Sequence, residues 1–406
     1  MLLIWFVVLA LGGMGSASPP SPYKGQAYRS LPDTVRFYGP RKARGDTVVP
    51  EVRIGLFGPA LKPKLGISTP QMALIGRSLF RGAQMAVEEA NSEGGYKGRP
   101  FRIVHREVDG PWGGASKEMV RLVYEDGVWA VLGSVDGPNS HIAEQICTKA
   151  WVPVVTPTST DPSLTQVNDP WLFRCIPTDE RQAQALAEYI FRTRGYTEVG
   201  GVLLDDDNEN YGRIGMREFE QAAGRMGHPL VLKVGFKLRQ TDFSKQVELI
   251  RKTNPQALVI WGTPEESGRF VRALKEAGLS QQVFGSSALA VPIFLKAAGR
   301  WAEGATVVYP YDPSRPDSLT QEFNRKFAKR YGEPLDFYAA YAYDGMRMII
   351  SAVRKAGLNQ GHIRDALAGT RDFPGVTGPI TLDGSGNRVA PVALAIVRGG
   401  KFVRVE

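Results

Sequence analysis

The sequence predicts an α/β protein of two similar lobes, each built on a doubly wound, mainly parallel sheet. Short apolar runs of strand length alternate with amphipathic helical stretches from residue 52 onward. The alternation begins a second time after the run from Trp171 to Asp179, which indicates a second lobe of the same kind. The chain has 406 residues, 43% hydrophobic and 22% charged, so it is long enough for about two globular domains.

The first round of alternation opens with the strand VRIGLF, which Gly58 and Pro59 end. In order, the predicted elements are a strand at 52–57, a helix at 76–90, a strand within 99–108, a helix at 115–125, a strand at 129–132, a helix at 140–150 and a strand at 152–155. Ser140 is a suitable N-cap for the helix that joins the last two strands. Such a crossover helix is what two parallel strands require.

Two polar runs follow these last two strands, at residues 133–140 and 156–160. In open α/β sheets ligands bind beyond the carboxyl ends of the strands, so both runs are predicted to line one crevice. Small residues bring backbone N–H groups and hydroxyls close to a ligand, and a helix N-terminus favours a negative group. The pattern therefore indicates a site that holds a carboxylate. Two ordinary strand-to-helix loops are the alternative, because the same residue types punctuate most such loops.

The second round repeats the pattern and ends in apolar strands. Its predicted strands are at 171–175, 198–204, 230–236, 257–261, 282–285 and 306–310, and the helices between them are at 179–194, 212–226, 244–253 and 265–277. Three further helices follow, at 319–331, 339–356 and 362–367. The chain ends in strands within 379–405, which a turn at 383–387 interrupts. A crevice between two such lobes is where a small ligand is expected to bind.

The N-terminal segment has the features of a targeting sequence. The apolar run from Leu2 to Leu11 is shorter than the roughly 20 residues of a transmembrane helix, and small residues follow it. We therefore predict a signal peptide over residues 1–17 and a periplasmic or otherwise extracytoplasmic mature chain. An uncleaved membrane anchor is the alternative, because no Lys or Arg precedes the apolar run.

Charge and cysteine content exclude some partners and leave one question open. Residues 18–50, predicted to be a Pro-rich linker, carry six basic and two acidic residues, while the whole chain has a net charge of +9. The remaining excess is mild and contains no Lys/Arg run, so the sequence does not indicate nucleic-acid binding. Cys147 and Cys175 could pair in an oxidising compartment or remain free in the core.

The motifs expected of an enzyme are missing from the sequence. The four histidines lie in separate segments without metal-ligand spacing, and there is no G-x-S-x-G, HExxH or P-loop. Only His141 lies near the predicted crevice, where a polar wall residue is the simpler interpretation. The acidic runs at 205–209 and 383–387 resemble calcium loops, but a helix-start cap and a hairpin turn explain them more simply. We predict no catalytic residue, cofactor or metal site.

A series of short segments occurs in a fixed order between Val52 and Val405: IGLFGP, GAQMAVEEANSEGGYKGRPFRIV, AVLGS, VPVVTPTSTDPSLT, WLFRCIPTD, DNENYGRIG, TDFSKQV, ALVIWG, EGATVVYPY, AAYAYDG and GVTGPITLD. In this order they resemble the type I periplasmic binding proteins of the leucine/isoleucine/valine-binding family, the ligand receptors of ABC importers. The resemblance implies a monomer that captures a small solute by lobe closure and delivers it to a membrane permease. The same fold also serves in ligand-binding sensors, which is the alternative function.

The resemblance implies two lobes joined by three crossovers, near Pro177, Tyr309 and Val376. The N-terminal lobe would comprise residues 51–176 and 310–376, and the C-terminal lobe residues 177–309 and 377–406.

The resemblance also implies a ligand site on the first lobe. Asn139 and Ser140 match the loop that holds the ligand carboxylate in the family, and Gly137 stands where a Ser often occurs. Thr158, Ser159 and Thr160 match the next loop, in which Thr158 and Thr160 would contact the carboxylate and amino groups.

The matches on the other side of the site are less complete. Tyr211 matches an aromatic residue that closes over the ligand, Thr263 falls near another aromatic position, and Tyr338 near an apolar wall. Ser287 replaces the Glu that pairs with the ligand ammonium in branched-chain amino-acid receptors. An uncompensated buried ammonium would cost several kcal/mol. The solute is therefore an amino acid with Asp136 or Asp205 as substitute partner, or a related organic acid or amide.

Overall fold

The structure is a computed structural model that describes residues 49–63, 70–108, 113–167, 169–206, 211–333 and 335–405. The predicted signal peptide and all but two residues of the predicted linker lie outside these ranges. The described chain forms two sheets with separate hydrophobic cores. This arrangement confirms the predicted α/β class with two mainly parallel sheets.

The first sheet has five strands, all parallel, in the order β2-β1-β3-β4-β5. They are β1 (Val52–Pro59), β2 (Phe101–Val108), β3 (Val131–Gly133), β4 (Val154–Thr156) and β5 (Leu172–Arg174). In the register of the central pair, Gly55 lies opposite Val131. The apolar residues of these strands are buried, except for the half-buried Ile103 and Val104 of the edge strand β2, as expected for a parallel sheet with helices on both faces.

The first sheet is covered by helices from two distant parts of the chain. They are α1 (Pro70–Ser92), α2 (Gly113–Val120) with a π-helical continuation at Arg121–Glu125, α3 (Gly137–Ala150) and the short α4 (Ser163–Gln166), and later α10 (Ser318–Tyr331), α11 (Phe337–Ala356) and α12 (Gln360–Ala368). Asp336 caps α11 by accepting from Ala339 N at 3.0 Å, and it also accepts from the Ser78 hydroxyl of α1 at 2.7 Å. Helix α11 is therefore fixed against α1 although 258 residues separate the two partners.

The second sheet has seven strands in the order β12-β11-β10-β9-β8-β6-β7. They are β6 (Val199–Leu204), β7 (Leu232–Phe236), β8 (Ala257–Trp261), β9 (Gln282–Gly285), β10 (Thr306–Val308), β11 (Leu394–Arg398) and β12 (Lys401–Arg404). The helices beside them are α5 (Asp179–Ala187) with a π-helical continuation at Glu188–Thr193, α6 (Tyr211–Arg225), α7 (Ser244–Thr253), α8 (Pro264–Glu276) and α9 (Pro292–Ala298). Strands β6 to β10 are parallel, and β11 and β12 add an antiparallel hairpin.

The chain crosses between the two cores three times. The first crossing lies between Cys175, in the first core, and Ala183, in the second. The second follows β10, and Tyr311 already packs in the first core. Ile380 and Leu382, which the predicted domain limits assign to the second lobe, also pack in the first core. We therefore place the third crossing between Leu382 and Leu394, later than the predicted Val376.

Two local predictions are wrong. Helix α3 begins at Gly137, three residues before the predicted start, because the carboxylate of Asp136 accepts from Asn139 N at 2.8 Å and so caps the helix in place of Ser140. Residues 379–393 do not form regular strands, because this stretch follows the first lobe with only isolated bridges such as Leu382 to Arg388. The predicted turn at 383–387 is present, with Asp383 Oδ1 accepting from two backbone N–H groups of the turn at 2.9 Å.

The two cysteines are free and buried in two separate hydrophobic clusters, both of them beside the first sheet. The Cys147 sulfur lies 3.7 Å from that of Met119, and the Cys175 sulfur lies 3.8 Å from that of Met348. Within the described ranges, no helix is long and apolar enough to cross a membrane.

Two glycine substitutions test the packing of α1 against α11. A Cβ at Gly82 would overlap the backbone carbonyl of Ala339, and backbone cannot move aside as a flexible side chain can. Gly82→Ala should therefore destabilise the protein by about 2 kcal/mol or more. Gly224, on the exposed face of α6, has open space around its Cβ position, so Gly224→Ala should stabilise by about 0.5–1 kcal/mol. Urea unfolding of both variants measures the difference, and equal effects would contradict the close helix contact.

Candidate functional site

The candidate site begins where β3 and β4 end, and two loops meet there. The Thr156 hydroxyl donates to the carbonyl of Ser134 at 2.7 Å, and Ser159 N donates to the same hydroxyl at 3.3 Å. Gly137 lies so close to Asp161 that a Cβ there would be 2.8 Å from a carboxylate oxygen. The structure thus brings the two predicted polar runs together at the carboxyl edge of the first sheet.

Four side-chain atoms in these loops are buried and have no hydrogen-bond partner within the described structure. They are Asn139 Oδ1, Ser140 Oγ, Thr158 Oγ1 and Ser159 Oγ. Leaving a buried polar group unpaired costs about 1–3 kcal/mol, so native proteins rarely keep several at one place without a purpose. All four residues are predicted site residues. The hydroxyls of Ser140, Thr158 and Ser159 are suitable donors to a ligand carboxylate, whereas Asn139 Oδ1 can only accept a hydrogen bond.

A buried arginine holds the loop after β4, residues 156–160, in place through hydrogen bonds. Arg174, at the end of β5, is fully buried and donates to the carbonyl of Ser159 at 2.9 Å. It also donates to Thr165 Oγ1 at 3.3 Å and to Asn387 Oδ1 at 3.1 Å. Burial lowers the pKa of this guanidinium to about 10, which leaves it charged at neutral pH. Arg174 therefore holds the loop in place and adds positive charge beneath the site.

A second positive charge lies at the start of α3. His141 Nε2 is 2.9 Å from the Ser163 hydroxyl and 3.5 Å from a carboxylate oxygen of Asp161. Its Nδ1 is 3.2 Å from Glu144 Oε2. Asp161, and then Glu144, raise the pKa of His141 to about 9, so the imidazole is protonated at neutral pH. His141, which the sequence predicts as a wall residue of the crevice, thus links the start of α3 to α4 through Ser163.

The most deeply buried acid near the site is Asp179, the first residue of α5. Its side chain is 1% exposed, and Oδ1 accepts from the Trp261 indole N–H at 3.2 Å. Thr160 lies beside it, since Asp179 N donates to the Thr160 carbonyl at 2.8 Å. The other oxygen, Oδ2, accepts no hydrogen bond from any residue that the structure describes. Burial raises the pKa of Asp179 to about 7, although Thr160 and Trp261 partly offset this effect.

Asp179 also lies where the two lobes meet. Thr160 belongs to the first lobe, whereas Trp261 ends a strand of the second sheet. Burial, and then the charge on Asp179, raise the pKa of Tyr211 at the start of α6. Tyr338 of α11 acts on Tyr211 in the same direction. Tyr211, on a helix of the second lobe, therefore lies close both to Asp179 and to Tyr338, on a helix of the first.

The structure does not bring the remaining predicted residues into this group. The Thr263 hydroxyl donates to Glu266 Oε2 at 2.6 Å, so its hydrogen bond is made at the start of α8 and not in the crevice. Ser287 N donates to Gln182 Oε1 at 3.1 Å, while the neighbouring Ser286 holds the contact with Tyr211, with 2.6 Å between the two hydroxyl oxygens.

The two acids predicted as substitutes for the missing Glu are already engaged. Asp136 caps α3 and also accepts from Asn139 Nδ2 at 2.9 Å. Asp205 pairs with Arg213 at 2.6 Å and is 43% exposed. Part of the acidic run that Asp205 begins lies outside the described residues. Among those described, no cluster of acids, histidines and cysteines has the arrangement of a metal site.

Sequence reasoning missed Asp179 and Ser286. A signal for Asp179 was present, because this acid follows directly on a short apolar strand and a Pro, in WLFRCIPTD. An acid at this position is also common at the start of an ordinary helix. Only the contact with Trp261, 82 residues later, distinguishes a residue of the site from such a helix-start residue.

Known proteins share this arrangement of two lobes, each with a mainly parallel sheet, and a polar crevice between them. The model of a family described as periplasmic binding protein matches residues 64–401. The chain belongs to the periplasmic binding protein family. Members of this family bind solutes and are not enzymes, which agrees with the missing catalytic motifs.

Relatives of this periplasmic binding protein confirm the predicted resemblance. Leu/Ile/Val-binding protein homolog 2 of Brucella abortus is 26% identical over 349 residues, which cover 85% of this chain and 90% of that one. The Leu/Ile/Val-binding protein of Escherichia coli is 24% identical over 326 residues, covering 80% and 86%. An amino acid binding protein of Pseudomonas aeruginosa is 26% identical over 313 residues, covering 76% and 80%.

Solved structures show the same two-lobed fold. A leucine binding protein from Thermotoga maritima matches with a TM-score of 0.79 at 23% identity, covering 87% of this chain and 98% of that one. A branched-chain amino acid transporter substrate binding protein from Streptococcus pneumoniae, in complex with isoleucine, has a TM-score of 0.77 at 24% identity and coverage of 87% and 100%. An R. palustris solute binding protein in complex with benzoate has a TM-score of 0.76 at 18% identity and coverage of 87% and 95%.

Proposed function

We propose that this periplasmic binding protein captures a small solute with a carboxylate group outside the cytoplasm and delivers it to an ABC permease. The observation that carries the proposal is the group of unpartnered buried polar atoms at the carboxyl edge of the first sheet. A carboxylate would accept hydrogen bonds from the hydroxyls of Ser140, Thr158 and Ser159. The N-terminus of α3 and the charge of Arg174 also favour an anion there.

Among carboxylate solutes, we favour an amino acid. Asp179 Oδ2 lacks a partner and lies beside Thr160, so its ionised form is available to accept from a ligand ammonium. A buried ion pair is favourable only when both charges are well hydrogen-bonded, and Trp261 already donates to the other carboxylate oxygen. Asp179 thus supplies the negative charge that Ser287 cannot. The names of the relatives, which include an amino acid binding protein, agree with this solute class.

Capture would proceed by closure of the second lobe over the first. Tyr211 and Ser286 lie on the second lobe and would cover a solute held by the loops of the first. Solute that contacts both lobes stabilises the closed form because it binds that form more tightly. A permease can then distinguish the closed surface from the open one. The signal peptide at 1–17, the monomeric state, the permease partner and the lobe limits belong to the same proposal.

A ligand screen tests this function. The chain from Ser18 onward is melted in the presence of branched-chain and aromatic amino acids, the corresponding deaminated acids, short amides and urea. A solute that binds only the native state raises the melting temperature with its concentration, following RT ln(1 + [L]/Kd). We expect a dose-dependent shift from an amino acid. Shifts from deaminated acids alone would contradict the role of Asp179, and no shift from any solute would favour a sensor with the same fold.

Thr160→Ala tests the placement of the site. It should weaken the binding of the solute that the screen identifies by about 1–3 kcal/mol, since a buried hydroxyl partner is lost. Isothermal titration calorimetry measures the change. Thr241→Ala, in an exposed loop before α7, is the matched control and should leave the affinity unchanged. Equal affinities for the two variants would remove Thr160 from the site.

A further inference from the structure

The structure contains a second concave site, which lies between the three crossings. It is distinct from the crevice between the lobes that holds the candidate site, which we call the cleft. It is a cavity of about 310 Å³ lined by residues from all three crossings, and we call it the hinge cavity. Its walls include Ile176 and Pro177 from the first crossing, Tyr309 and Pro310 from the second, and Ala390 and Val392 from the third. The cleft residues Ser140, Thr160 and Tyr211 do not line it, whereas Ser287 does.

Arginines are prominent in the lining of the hinge cavity. Three of them, Arg315, Arg388 and Arg404, line it together with two acids, Asp312 and Asp372. Arg315 pairs with Asp317 at 3.0 Å, and Arg404 lies 3.9 Å from Asp312. Among the described residues, Arg388 is the one of the three whose hydrogen bonds all go to carbonyl or hydroxyl oxygens rather than to a carboxylate. A monoanion would supply a carboxylate partner.

Arg388 is the residue that most directly indicates an anion. It is only 3% exposed, and its Nη atoms donate mainly to carbonyl oxygens, such as those of Cys175 at 3.2 Å and Gly378 at 3.0 Å. It also donates to Thr377 Oγ1 at 2.7 Å, and Thr377 Oγ1 donates in turn to Asp344. No described carboxylate accepts directly from Arg388, and its Nε has no partner. A buried guanidinium with a free donor is an unusual and costly arrangement in the absence of an anion.

We propose that the hinge cavity is a second binding site, which takes a small monocarboxylate with an apolar body. The prolines, Ala390 and Val392 provide the apolar wall, while Arg388 and Arg315 provide donors for the carboxylate. The cavity volume suits a solute of the size of a single aromatic ring with a carboxylate. The proposal is independent of which solute the cleft binds.

Calorimetric titration with benzoate, and with benzamide as its neutral counterpart, tests the hinge cavity. Ala390→Phe fills the cavity without removing any hydrogen bond of Arg388, and Thr160→Ala alters the cleft alone. We expect Thr160→Ala to leave benzoate binding at the hinge cavity as in the parent protein, and Ala390→Phe to weaken that binding at least tenfold. Benzamide should bind at least tenfold more weakly than benzoate. Ala390→Phe must still bind the cleft solute, which shows that the variant is folded.

Three outcomes would overturn the proposal. These are the absence of benzoate binding in the Thr160→Ala protein, benzoate binding that Ala390→Phe does not change, and equal binding of benzoate and benzamide. Arg388→Lys is a second variant that keeps the charge but removes the planar fork, and it should also weaken benzoate binding. If the hinge cavity is occupied differently in the open and closed forms, benzoate and the cleft solute must alter each other's affinity by the same factor.

Discussion

Replacing Asp179 with Asn should weaken the binding of an amino-acid solute at least a hundredfold and yet raise the melting temperature of the ligand-free protein at pH 8. The loss follows because the ligand ammonium would be left without its buried anionic partner, which typically costs about 3–5 kcal/mol. The gain follows because burial already disfavours the ionised form of Asp179 in the free protein. Calorimetry and thermal melts of the same preparations measure both effects.

The gain in stability should depend on pH in a defined direction. The pKa of Asp179 is raised from 3.8 to about 7 in the folded protein, so between these values the folded state keeps a proton that the unfolded chain has lost. Its contribution to the free energy of unfolding therefore decreases as pH rises from about 4 to 7 and then stays constant. Asp179→Asn removes this decrease. The control is Thr241→Ala, in the exposed loop before α7, which should show the same decrease as the parent protein.

The pH dependence of binding distinguishes the two classes of solute. An ammonium group requires ionised Asp179, so amino-acid affinity should rise up to tenfold per pH unit below about 7 and then level off. An organic acid would instead be bound best when Asp179 is protonated, and its affinity should fall as pH rises above 7. A flat profile for both solutes would place Asp179 outside the site.

Arg174→Met should destabilise the protein by about 3–5 kcal/mol and weaken solute binding as well, because it removes a buried, hydrogen-bonded charge. The carbonyl of Ser159 and the amide oxygen of Asn387 would both lose a buried donor. The loop that carries Thr158 and Thr160 would then no longer be held against β5. Urea unfolding gives the loss in stability, and calorimetry gives the loss in affinity.

The matched control for Arg174 is Arg102→Met, at a side chain that is 68% exposed and pairs with Glu51. Exposed ion pairs contribute about 0–1 kcal/mol, so this change should have little effect on stability. Similar losses for the two arginines would contradict the supporting role of Arg174.

The periodic parts of the fold could be predicted from the sequence because one chemical pattern determines them. Strand β8 and helix α7 have the predicted limits, since buried apolar runs and amphipathic spacing are properties of neighbouring residues. The start of α3 was predicted three residues late because both Asp136 and Ser140 are suitable caps. Local sequence does not decide between them, whereas the geometry of the loop does.

The site was predictable on one lobe and much less so across the cleft. The polar runs after β3 and β4 lie together because adjacent parallel strands end at the same edge. The hydrogen-bond partners of Tyr211 and Asp179 are 75 and 82 residues away in the sequence. Patterns among neighbouring residues do not predict contacts over such a separation. For the same reason Ser286 could not be separated from Ser287, since a shift of one residue decides which hydroxyl faces Tyr211.

The contacts of Arg174 with the third crossing also have a consequence for folding. Arg174 N donates to the carbonyl of Gly386 at 2.9 Å, and its side chain reaches Asn387, 213 residues later. The points where the described chain leaves the first lobe for the first time and for the last time thus lie side by side. Contacts of such long range slow folding. Each lobe contains two distant segments, and both need the last tenth of the chain, the first for the contact with Asn387 and the second for β11, which pairs with β10. The two lobes should therefore acquire protection from hydrogen exchange together.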